Sequence, residues 1–168
     1  MQINLKEAFN NNVFDRIIDP STGVGTDALD VISCLTPIVN VDLLIKNKDG
    51  KVLVSWRDDK VCGSGWHLPG GIVRYKESLL ERVHKTAITE LGVDVIVDES
   101  PLEINEIMLD QDIRGHFISI LFKCEPFKDI HINNEISLIP GVLHWYDYGQ
   151  DKLLVKGQRD IYTKYLKG

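Results

Sequence analysis

The order of elements in this chain predicts a layered α/β domain. Three observations carry that expectation. Apolar, β-branched runs come first, one strongly amphipathic helix interrupts them, and further strand-like runs lead to a closing helix. A length of 168 residues suits one such domain with a real core.

Residues 1–30 read as an N-terminal arm or extension, and 31–168 as the layered domain. A short helix is expected within LKEAFNNNVFDRII. The following DPSTGVGTD is rich in turn formers and lacks apolar periodicity, so it reads as a linker, an arm or a dimer contact. From Pro37, PIVNVDLLI has the composition of a buried strand. Asn47-Lys48-Asp49-Gly50 forms a turn, Asp-Gly favours a tight hairpin, and KVLVSWR is the return strand. WHLPGGIV is a short strand broken by glycine.

The clearest helix runs from Ser78 to Leu91. Leu79, Leu80, Val83, Ala87 and Leu91 recur on one face, and Glu81 and Lys85 stand four apart as a favourable pair. Gly92 suits the position that ends a helix. VDVIV, LEINEIML and HFISILFKCEP then read as strands, INNEISLIPG as a loop or short extended segment, and VLHWYDY as another strand. DKLLVKGQRDIYTKYL closes the chain as a helix.

Composition is that of a soluble globular protein, with 43% hydrophobic and 26% charged residues. No apolar run is long enough for a transmembrane helix, and the N-terminus lacks the apolar segment of a signal peptide. A net charge of −6 argues against a broad nucleic-acid-binding face. Cysteines 34, 62 and 124 are odd in number and scattered, with no zinc spacing. Reduced thiols in a cytoplasmic protein fit this pattern.

The stretch from Gly70 to Val93, GGIVRYKESLLERVHKTAITELGV, carries the functional signal. It resembles the Nudix box, G-x5-E-x7-R-E-U-x-E-E-x-G-U, with U a bulky aliphatic. Gly71, Glu77, Glu90, Gly92 and Val93 match. Lys85 stands for the arginine, and the resemblance implies that Glu77 and Lys85 form the pair that ties the helix to the loop before it. Thr86 and Thr89 stand for two glutamates that normally hold divalent cations. With WHLPGG and the preceding hairpin, the resemblance spans about residues 37–126. It implies an α/β/α sandwich around a central mixed β-sheet. The pattern is most similar to the GDP-mannose mannosyl hydrolase branch, which also keeps a lone glutamate before Leu-Gly. That branch implies attack at the anomeric carbon of a nucleotide sugar, where most Nudix enzymes attack phosphorus. It also implies a homodimer.

Magnesium needs only one or two protein carboxylates when substrate phosphates complete its shell. Mg2+, or Mn2+ in its place, is the expected cofactor. The resemblance assigns Glu90 and the Gly70 carbonyl as ligands, although a lone Glu before Gly is by itself most often a solvated surface residue. In the branch this chain resembles, a Gln-His pair in the loop before the Trp-bearing strand supplies a ligand and the base. Here that loop is Asn133-Asn134-Glu135, without a histidine at the base position. Because other Nudix enzymes carry a glutamate in this loop, Glu135 is the leading candidate for a further ligand and for the general base. Its alternative is a solvated loop carboxylate. His116 opens a strand and reads equally as a pocket imidazole or a half-exposed residue without a role. His131 is the weaker histidine. Asp42, inside an apolar strand, needs a donor, either a nucleobase edge or an internal partner. Arg57 aligns with a substrate-contacting arginine of the family and suits phosphate, with a surface ion pair as the alternative. The family's arginine after the two glycines is Ile72 here, and Arg74 lies on the same side if the segment stays extended.

The expected activity is therefore Mg2+-dependent hydrolysis of a nucleotide sugar at its C1–O bond. The competing readings are a Nudix pyrophosphohydrolase acting at phosphorus and a non-catalytic nucleotide-binding module.

Overall fold

The structure, a computed structural model, describes residues 4–130, 132, 138–147 and 154–166. Two short helices, α1 (Leu5–Asn10) and α2 (Thr26–Ser33), precede the first strand. Then follow β1 (Ile38–Leu44), β2 (Val52–Asp59), β3 (Gly63–His67) and β4 (Gly70–Ile72). Helix α3 (Leu79–Thr86) continues into a π-helical turn (Ala87–Leu91). After it come β5 (Val95–Val97), β6 (Glu103–Met108), β7 (His116–Pro126), β8 (Leu143–Tyr146) and α4 (Lys156–Leu166).

The strands form two sheets. A five-stranded mixed sheet has the order β4-β1-β7-β5, with β6 also on β7, and β1 runs parallel to β7. A three-stranded antiparallel sheet has the order β3-β2-β8. The hairpin expected between β1 and β2 exists only at its tip. Asn47 Oδ1 accepts the N–H groups of Asp49 and Lys51, and Gly50 takes a φ of 80°. Beyond a bridge between Lys46 and Val52, the two strands part into different sheets.

Strand alternation sorts the core. On β1, Val41 and Leu43 face α3 and pack with Val83 and Ala87. Leu44, on the opposite face, packs with Trp66, Tyr162 and Leu166 between the sheets and α4. Helices therefore cover both faces of the central sheet, as an α/β/α sandwich requires. Val41, Leu43 and Val83 have no exposed surface, and each buried side chain of this kind contributes about 1.5–3 kcal/mol. Among the described residues, no helix is long and apolar enough to cross a membrane.

Two features of the central helix depart from the sequence reading. Ser78 caps α3, and Glu81 returns a hydrogen bond to the Ser78 N–H, so Glu81 closes a capping box. Lys85 instead reaches Glu77, at 2.9 Å, the pair that the family resemblance implies. The second departure is the π-helical turn, which rotates the last residues before Gly92, whose φ is 69°. Single π turns of this kind occur frequently at functional sites. The N-terminal segment is packed where it crosses residue 30. Ala28 and Val31 of α2 are buried, at 1% and 3% exposure.

Candidate active site

The glycine pair Gly70-Gly71 lies where β4 meets β1, with Asp42 paired opposite Gly70. Side chains are excluded there. A Cβ on Gly70 would collide with Asp42 Oδ1 and lie 2.8 Å from the Val41 carbonyl, and one on Gly71 would collide with Thr86 Oγ1. The backbone thus approaches the end of α3 as closely as sterics permit.

Two groups of that helix end are buried without a hydrogen-bond partner, Thr86 Oγ1 and Glu90 Oε2. They stand one turn apart, where helical side chains share a face. Burial pushes the Glu90 carboxyl up to about 7, against the pull of the Arg57 charge and of the Gly70 N–H, which donates to it. An orphaned carboxylate oxygen beside an orphaned hydroxyl is a donor set suited to a hard cation. Gly70 reaches Glu90 through its N–H, so it helps to aim the carboxyl. Among the described residues, no three His, Cys, Asp or Glu side chains gather into a metal-binding cluster.

Glu77 presents the opposite case. Its carboxyl accepts from Arg82 Nε at 2.7 Å, Arg82 Nη2 at 2.8 Å, Lys85 Nζ at 2.9 Å and the Arg74 N–H at 3.0 Å. Burial opposes its charge, but these bonds prevail and hold the carboxyl down near 2. Lys85 thus serves in the motif's arginine position. Arg82, one turn earlier, contributes a bidentate partner that the motif does not specify.

In front of the glycines opens a cleft of about 360 Å³. Asp42 and Arg57 both line it, with Gly70, His67, Arg114 and Gln158. The donors to Asp42 are internal: Ser119 Oγ, Tyr162 OH at 2.8 Å and Gln158 Nε2 at 3.3 Å. Burial raises its pKa despite these bonds. Gln158 also accepts the Leu68 N–H at 2.7 Å, so α4 fastens the cleft floor to the strand end before the glycines. Arg57 pairs with Asp59, Nε to Oδ2 at 3.2 Å, and its Nη1 donates to Cys62 Sγ at 3.4 Å.

His116 and Arg74 are placed elsewhere. Alternation on β7 puts Phe117 in the cleft and His116 on the α3 side of the sheet, where its Nε2 lies 3.0 Å from Glu106 Oε1. Arg74 follows the end of β4 at Ile72, so the extended geometry that would align the two is lost. Ile72 lines the cleft, whereas the Arg74 guanidinium lies against Gly23. Glu135 and His131 lie outside the described residues.

His67 was not legible as a cleft residue. Its Nδ1 lies 2.7 Å from the Leu68 carbonyl, which can only accept, so this nitrogen carries the proton. Burial, with the Arg57 charge adding to it, pushes the imidazole down to about 4. Near neutral pH it lines the cleft uncharged. Arg114 and Gln158 were also missed, because each arrives from a segment distant in sequence.

The chain belongs to the Nudix family: the NUDIX domain matches residues 36–165. It is 34% identical over 109 residues to the low-salt glycan biosynthesis protein Agl8 of Haloferax volcanii, covering 62% of this chain and 69% of that protein. Its fold resembles a MutT protein from Methanosarcina mazei, with a TM-score of 0.56 and 23% identity over 77% of this chain and 94% of the other. It also resembles a UDP-X diphosphatase, with a TM-score of 0.54 and 18% identity over 74% and 57% of the two chains. The chain is thus a Nudix family member in sequence and in α/β fold.

Proposed function

We propose that this Nudix hydrolase acts on a GDP-mannose-like nucleotide sugar and cleaves the C1–O bond, releasing nucleoside diphosphate and free sugar. One observation carries the reading. At the helix end, a hydroxyl, Thr86 Oγ1, stands where the motif has a carboxylate, and it shares its face with the unpartnered oxygen of Glu90. That set suits one divalent cation, Mg2+ or Mn2+, held by Glu90 with the substrate's own phosphates. When bound, such a cation neutralises charge developing on the departing diphosphate.

The chain's own groups do the rest. Arg57 binds the diphosphate through its guanidinium. Gly70 and Gly71 let the phosphates approach the backbone, and the Gly70 N–H aims Glu90. Asp42, held by Ser119 and Tyr162, keeps the cleft floor polar beneath them. Glu135 is the candidate base that takes a proton from water as the water oxygen bonds to C1. The C1–O electron pair then leaves with the diphosphate, inverting the sugar configuration. The relative's part in glycan biosynthesis supports a sugar-bearing substrate. Cytoplasmic location and a homodimer accompany this reading.

A panel of nucleotide sugars in heavy-oxygen water tests it. The expected products are labelled free sugar and unlabelled nucleoside diphosphate. Sugar phosphate with nucleoside monophosphate, labelled on phosphorus, would replace this reading with pyrophosphate cleavage. Tight nucleotide binding with no turnover would leave a binding module.

A further inference from the structure

The N-terminal helix α2 is fastened to the loop between β6 and β7 through Arg114. Arg114 Nε donates to Asp30 Oδ1 at 2.7 Å, and the Arg114 N–H donates to Ser33 Oγ at 3.0 Å. The loop is also braced from within. Gln111 Nε2 donates to the carbonyls of Ile113, at 2.9 Å, and Arg114, at 3.0 Å. These bonds hold Arg114 at a φ of 51°, a left-handed conformation that an arginine rarely adopts.

The constraint aims a side chain that lines the cleft. Asp30 occupies Nε and leaves the Nη groups as donors. Arg57 approaches the same end of the cleft. Its Nη1 donates to Cys62 Sγ at 3.4 Å, and the charges of both Arg57 and Arg114 act on that thiol, opposing the burial that pushes it up. The Arg57 charge also acts on the Glu90 carboxyl. Two guanidinium groups that converge from separate segments present planar donors suited to the oxygens of a diphosphate.

We infer that Arg114 is a second diphosphate-binding residue of the cleft, and that Asp30 and Ser33 are positioning residues that make α2 part of the substrate site. The inference rests on the nucleotide-sugar reading above and adds the residue that grips the phosphates opposite Arg57. Arg114 contacts a group on which charge develops as the C1–O bond breaks, so its loss raises KM and lowers kcat as well.

Arg114→Asn is the informative variant, because asparagine tolerates the left-handed backbone. With GDP-mannose or the preferred panel substrate, KM should rise about tenfold or more and kcat should fall with it. Affinity for GDP in calorimetry should fall in parallel. Arg114→Lys should restore only part, since the planar fork is lost. Asp30→Asn should raise KM by a smaller factor and add nothing further to Arg114→Asn, as expected where Asp30 acts through Arg114. Should Arg114→Asn fail to fold, Asp30→Asn and Arg114→Lys carry the same KM test. Wild-type KM and GDP affinity in folded Arg114 variants would overturn this inference and leave the proposed function standing. A wild-type protein that neither binds GDP or UDP nor hydrolyses any nucleotide sugar would overturn both.

Discussion

The two glutamates that this chain keeps from the Nudix motif stand in opposite physical states. Glu77, at the start of the helix, is 3% exposed, and its carboxyl is saturated by Arg82, Lys85 and a backbone N–H. Glu90, at the other end, is half-buried, with one carboxylate oxygen sealed from solvent and unpartnered among the described residues. The environment holds the first down near 2 and pushes the second up to about 7. A motif seen only as letters treats them alike. Their surroundings assign one to holding the loop on the helix and leave the other with coordination capacity to spare.

The sharpest way to break this comparison is Glu90→Gln. It removes the only carboxylate that the helix end offers and leaves the size of the side chain intact. Turnover should fall about 10²–10³-fold, the scale of losing one electrostatic stabiliser at a reacting centre. The thermal midpoint should stay near wild type, because no ion pair is broken. A steady-state assay and a melting curve on the same preparation check both halves. Retained turnover would remove Glu90 from the chemistry.

Glu77→Gln should do the reverse. Arg82 is 11% exposed, so losing its partner strands a buried guanidinium. Breaking such a pair costs about 3–5 kcal/mol, with kcat per folded molecule largely retained. Urea denaturation read beside single-turnover activity separates the two effects. The pH dependence follows with a definite sign. The folded-state pKa of Glu77 lies near 2, below its ordinary 4.5, so the unfolded chain binds more protons between those values. The contribution is fully present above 4.5 and is lost as pH falls towards 2. Stability measured from about pH 6 to about pH 3 should decline steeply in wild type, and less so in Glu77→Gln.

The contrast also explains what sequence made legible. Strand identities followed from β-branched runs, and Ser78 and Gly92 marked the helix ends, because these signals are local. The π-helical turn has no residue signature, since it is a register change in backbone bonding imposed by packing. Lys85 had two carboxylates within reach, and helical spacing favoured Glu81. The capping box took Glu81 away, a competition settled by the whole turn. His116 and Arg74 failed to reach the cleft for geometric reasons: one was on the wrong side of an alternating strand, the other lay beyond its end. Arg114, Gln158 and the docking of α2 depend on long-range contacts, which spacing within one segment cannot encode.

The smallest expected effect tests whether the hydroxyl beside Glu90 is more than a packing atom. Thr86→Val keeps the shape and removes Oγ1, which is buried without a partner. An unsatisfied buried hydroxyl is a burden of about 1 kcal/mol or more, so the variant should be as stable as wild type or up to ~1 kcal/mol more so. If Oγ1 orients a metal-bound water or the cation itself, the Mg2+ concentration for half-maximal activity should rise by about three- to tenfold while kcat at saturating Mg2+ changes little. The two readouts then move in opposite directions, with stability held or gained and metal use impaired. That divergence is what distinguishes a site kept for function from a position kept for the fold, and Glu77→Gln should lack it. An unchanged Mg2+ requirement would reduce Thr86 to filler beneath Gly71 and leave Glu90 as the helix's sole contribution to the cation.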